Sequence, residues 1–119
     1  MKKLTPYLIL VVLLFQACVK QQEVSVIYEA SQAVSAFSVS YQNEYGLLVD
    51  TIINPQSNQD IWRYKMFLSK GDIVYLSGKY DDINSGLKLS IIIDGKVFKE
   101  QYSLGDTVNY LIVSGTIPY

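Results

Sequence analysis

Leu87-Lys88-Leu89-Ser90-Ile91-Ile92-Ile93-Asp94-Gly95-Lys96-Val97-Phe98-Lys99-Glu100-Gln101-Tyr102 is the stretch that decides the fold. Two runs rich in β-branched and aromatic residues flank one Asp-Gly pair. A two-residue type I′ turn needs positive φ at both central positions, and Asp-Gly supplies that at little steric cost, so the segment predicts a hairpin. Upstream, period-2 alternation recurs. Val24, Val26, Tyr28 and Ala30 alternate with Ser25, Ile27 and Glu29, and Phe37, Val39 and Tyr41 alternate with Ser38, Ser40 and Gln42. Leu47 to Ile53 returns after a turn at Asn43–Gly46. In Ile61 to Ser69, Trp62, Tyr64, Met66 and Leu68 share one face, with Arg63 and Lys65 on the other. Such alternation is the mark of half-buried strands.

Ile73 to Ser77 is expected to be a short central strand, and Thr107 to Val113 the last one. Loops are expected at Asn54–Asp60 and Asp81–Gly86, with turns at Ser69–Asp72 and Gly105-Asp106. About eight strands at regular spacing, with no helical period beyond the N-terminal segment, predict an all-β, immunoglobulin-like two-sheet sandwich. A small closed barrel is the alternative.

The N-terminus has the layout of a secretory signal. Lys2 and Lys3 precede an eight-residue apolar run, Leu8 to Phe15, which is too short to span a bilayer. Gln16-Ala17-Cys18 then places a small residue directly before a cysteine, the pattern cut by lipoprotein signal peptidase, here with Phe15 where an aliphatic residue is usual. The expected organisation is a signal over residues 1–17, a lipidated Cys18 with a short tether over 18–23, and a sandwich over 24–119. Lipid on Cys18 would anchor the domain to a membrane of the cell envelope, outside the cytoplasm. Two acyl chains suffice for stable anchoring, whereas one is marginal.

Composition narrows the function. Cys18 is the only cysteine, so the mature domain has no disulfide framework. Without residues 1–17 the 119-residue chain retains 102, enough for a core without staples. Eight basic residues then face eleven acidic ones, a net charge of −3 with no basic face for nucleic acid. The chain contains no histidine, which removes the commonest general base and metal ligand. Neither Ser69-Lys70 nor Ser77-Gly78-Lys79 has the general-base context of a Ser-Lys nucleophile, and adjacent strand residues such as Ser69 and Lys70 point to opposite faces. Asp81 to Gly86 is oxygen-rich, but Ile83 and Ile92 fall where a calcium loop needs a polar group and a bidentate glutamate, so a plain turn is expected. The sequence thus predicts a non-enzymatic protein without cofactor or metal. Its ten tyrosines are expected mainly in the core. Those to consider as contacts for a partner or ligand are Tyr64, Tyr75, Tyr80 and Tyr110, together with Trp62.

From Ala33 onward the order of motifs resembles the MmpS-type transport accessory proteins. The matching stretches are Val39-Ser40-Tyr41-Gln42-Asn43-Glu44-Tyr45-Gly46, Gly71-Asp72-Ile73-Val74-Tyr75-Leu76-Ser77, Ile93-Asp94-Gly95-Lys96-Val97-Phe98-Lys99-Glu100 and the closing Tyr110-Leu111-Ile112-Val113-Ser114-Gly115. The resemblance implies a small, membrane-tethered, exported β-sandwich acting beside an envelope transport protein, a large export pump. Members of that group carry a transmembrane helix where this chain carries Gln16-Ala17-Cys18. The expected function is a lipid-anchored partner-binding or transport accessory module. The alternative is a surface lipoprotein binding a small apolar ligand or a glycan through an aromatic patch.

Overall fold

The computed structural model describes residues 22–105 and 110–118. Cys18, the signal and most of the tether lie outside the described residues, as do residues 106–109. Eight strands are present: β1 (Glu23–Ser31), β2 (Phe37–Gln42), β3 (Leu48–Ile53), β4 (Trp62–Ser69), β5 (Ile73–Tyr80), β6 (Gly86–Ile93), β7 (Lys96–Leu104) and β8 (Tyr110–Thr116). They form two four-stranded antiparallel sheets, ordered β4-β1-β6-β7 and β3-β2-β5-β8. Their packing makes an immunoglobulin-like sandwich and excludes the closed barrel. Only the β2–β3 and β6–β7 connections stay within a sheet; the other five cross between sheets.

The hairpin is as the sequence predicts. Asp94 and Gly95 both have positive φ, 50° and 79°, and Ile93 pairs with Lys96. Asp94 is also tied to β1, donating its backbone N–H to the Ser25 carbonyl and accepting the Ser25 N–H on its carboxylate. Alternation fixes which faces turn inward. Val26, Tyr28, Ala30, Leu87, Leu89 and Ile91 from one sheet meet Val39, Val74, Leu76, Tyr80, Leu111 and Val113 from the other, all buried.

Two strands differ from the sequence reading. β5 continues past Ser77 to Tyr80, and β8 runs to Thr116, with Thr107–Asn109 outside the described residues. In both cases a glycine that looks like punctuation sits inside the strand because the opposite sheet leaves no room for a Cβ. One built on Gly78 would lie 2.7 Å from Leu87 Cδ2, and one on Gly115 2.8 Å from Phe98 Cε2. Glycine within a strand marks such close approaches.

Tyr28 joins the two sheets. Its hydroxyl donates to the Gln42 carbonyl (2.9 Å) and accepts the Tyr75 N–H (3.3 Å). The β2–β5 register ends at Tyr41↔Leu76, so the phenol takes up the backbone groups just past the last pair. Burial pushes the hydroxyl up to about 12, the Tyr75 N–H pulling it down and Tyr64 adding to the rise.

Candidate functional site

The two long sides of the sandwich are built differently. Where β7 and β8 face each other, a β-bulge between Ile91 and Ile92 inserts an extra residue into β7. Phe98 lies at that irregularity and packs over Gly115. A bulge re-aims a side chain in this way. Where β3 and β4 face each other, residues 54–61 form the connection, and a cleft of about 280 Å³ opens between the sheets. It is lined by Phe37, Ile53, Pro55, Ile61 and Trp62, with Asn54 and Asp60 at its polar margin. Asp60 holds the loop in shape by accepting the Gln56 N–H at 2.7 Å.

Trp62 begins β4 and is half-buried. Its ring lies 5.3 Å from Tyr41, which also contacts Tyr64 at 4.7 Å and Tyr28 at 5.9 Å in a near edge-on arrangement. Such tilted pairs stabilise by about 0.5–1.5 kcal/mol beyond their burial. Tyr64 extends the row outward and donates to both carboxylate oxygens of Glu44, at 2.8 and 3.0 Å. The hydrogen bond to that carboxylate, with a smaller desolvation effect, pushes the Tyr64 hydroxyl up to about 12. The aromatic row therefore grades from the core, at Tyr28, to solvent.

The structure separates the five aromatic candidates. Trp62 and Tyr64 share the β3–β4 side. Tyr75 and Tyr110 sit together on the outer face of the second sheet, at register positions on β5 and β8. Their mutual hydrogen bond raises the Tyr110 hydroxyl, and a bond to Ser77 opposes the rise. Tyr80 departs from the expectation of a contact residue. It is 2 % exposed, bonds the Gly105 carbonyl at 2.7 Å and lies 3.0 Å from the Ser103 hydroxyl, so it belongs to the core. The oxygen-rich Asp81–Gly86 segment is a turn held by Asp82, whose carboxylate accepts the Asn84 N–H and whose carbonyl accepts the Ser85 N–H.

Sequence reading missed β3 itself as a surface. All six of its residues are exposed or half-exposed, and Ile52 is 73 % exposed. β3 (LVDTII) is an edge strand without lysine or proline. Two of the other edges carry basic guards, Arg63 and Lys65 on β4 and Lys96 and Lys99 with the bulge on β7; the fourth edge, β8 (YLIVSGT), carries no charge, and Phe98 packs over its Gly115. The signal was present in composition, but which strands form edges is not readable without the topology.

The fold and this side of it define an all-β sandwich domain with an open, aromatic-lined edge. Neither the comparison with protein-family models nor that with curated proteins gives a match.

Proposed function

We propose that this protein is a non-enzymatic, lipid-anchored envelope module that binds a protein partner, in the manner of a transport accessory, through the β3–β4 side. The exposed β3 edge, without lysine or proline and lying beside the Trp62 cleft, carries the reading. An extended partner segment could add its backbone to β3 while a side chain enters the cleft, the mode in which edge pairing gives affinity and pockets give specificity. The signal-like N-terminus and Cys18 support an envelope location, and the motif order shared with the MmpS-type proteins supports a transport partner. A photo-crosslinking side chain placed at Ile52 in intact membranes tests it. The expected result is one discrete adduct with an envelope protein that is lost on Trp62→Ala and absent when the crosslinker stands at Lys88, on the outer face of the other sheet. No adduct at Ile52, or equal adducts at both positions, would overturn the reading.

The volume and apolar lining of the cleft favour a second reading, a small apolar or glycan ligand. Trp62 is the only tryptophan in the chain, so its emission reports the cleft directly. Saturable shifts on titration with oligosaccharides or short-chain amphiphiles would favour this alternative, and flat titrations would eliminate it.

A further inference from the structure

The anchor determines which end of the sandwich faces lipid. β1 starts at Glu23, five residues after Cys18, so a fully extended tether reaches only about 17 Å. Glu23 pairs with Ser69 at the end of β4. The same end of the sandwich carries the Asp94-Gly95 hairpin tip, bonded to Ser25, and the β4–β5 and β2–β3 turns, which line one recess jointly through Asn43, Gly46, Leu68, Asp72 and Ile73. At this end Tyr45 is 79 % exposed, Leu47 and Leu48 63 % each, and Ile73 58 %.

The turn that presents them has four of its backbone donors occupied. Asn43 Oδ1 accepts the N–H groups of both Tyr45 and Leu47 at 3.0 Å, the Asn43 N–H reaches the Leu47 carbonyl at 2.9 Å, and the Gly46 N–H reaches the Asn43 carbonyl at 3.1 Å. Positive φ at Gly46, 78°, lets the chain close on itself. Donors already bonded within the turn do not have to be stripped of water when it enters an apolar medium, which lowers the cost of burying this backbone at a lipid interface.

We infer that the β2–β3 turn, with Tyr45, Leu47 and Leu48, and the adjoining Ile73 form a membrane-contact tip that lies in the lipid interface beside the anchor. This rests on the lipid-anchored reading of Cys18 above. Tyrosine suits such a boundary, its ring apolar and its hydroxyl wet. Charge does not drive the contact: Glu23, Glu44, Asp72 and Asp94 outnumber Lys70 and Lys96 in these segments. Contact therefore does not require anionic lipid. β1 spans nine residues, so the far end of the sheet stands about 25 Å further from the bilayer. The tip fixes the domain upright and directs the Trp62 end of the β3–β4 side away from the membrane.

The test uses the full lipidated protein in phosphatidylcholine vesicles, with an environment-sensitive fluorophore on Leu48→Cys or, at the far end, on Ile83→Cys. Both positions are exposed, and acylation of Cys18 leaves the introduced thiol as the sole one for labelling. Mass analysis of the N-terminal peptide reports the acylation itself. With brominated acyl chains, the label at position 48 should lose more than half of its emission and the label at 83 almost none, unchanged when anionic lipid is added. Acylated protein with equal, weak quenching at both positions would overturn the contact tip and leave the anchor standing. Absence of lipid on Cys18 would overturn both. Protection of position 48 only in native membranes, by crosslinking to a second protein, would reassign the tip to a protein partner and also overturn the inference.

Discussion

The two long sides of this sandwich answer the same problem differently. Each must manage a pair of sheet edges. On the β7–β8 side the bulge places Phe98 over Gly115, so one aromatic ring covers the gap. On the β3–β4 side no ring fits the gap fully; Tyr41, Trp62 and Tyr64 stack along it and leave a cleft under the 54–61 connection. Closure on one side supplies stability. The open side leaves an apolar cleft beside an edge strand without lysine or proline, which is costly to keep exposed unless something uses it.

That contrast can be broken from the closed side first. Gly115→Val would drive a branched side chain into Phe98 and should destabilise the domain by about 3 kcal/mol, read as a lowered urea midpoint with an unchanged slope. The second break falls between the sides, at Tyr28. Tyr28→Phe leaves the Gln42 carbonyl and Tyr75 N–H without their partner and should cost about 2 kcal/mol. It should also change alkaline unfolding. The folded-state value of the Tyr28 hydroxyl lies above its unfolded value, so its contribution is complete below pH 10 and disappears as pH rises from 10 through about 12. The wild type should lose stability steeply over that window, and the Phe variant less steeply.

On the open side the same kinds of change should matter less to folding. Trp62→Ala removes a half-buried ring and should cost about 1 kcal/mol, less than a core aromatic, while abolishing the specific adduct at Ile52. Ile52→Lys should leave thermal stability within about 0.5 kcal/mol of wild type, because the side chain is largely exposed. Placing a lysine there gives β3 a basic guard of the kind β4 and β7 carry, so partner capture should fall sharply. A stability loss from Ile52→Lys equal to that from Gly115→Val would show that the two sides do not differ as described.

Most of the strand pattern was legible because alternation is a local property. Val24 to Ala30 and Trp62 to Leu68 show it plainly, and Asp94-Gly95 specified its turn through φ preferences alone. The strand ends at Gly78 and Gly115 were not legible, since those glycines answer to Leu87 and Phe98 on another strand. The aromatic candidates divided for the same reason. Tyr80 and Tyr75 lie in one strand with different fates: Tyr80 faces the core, while Tyr75 faces out beside Tyr110.

By itself, then, the sequence determined the class of fold, the position of the hairpin and the absence of histidine chemistry, because periodicity, turn preferences and composition need no partner residues to be read. Only the tertiary structure decided which strands are edges, which side is sealed by Phe98, that Trp62 borders a cleft, and that Tyr45, Leu47, Leu48 and Ile73 gather at the end where β1 begins. Those are consequences of strand order and register, and they depend on contacts between residues far apart in the chain.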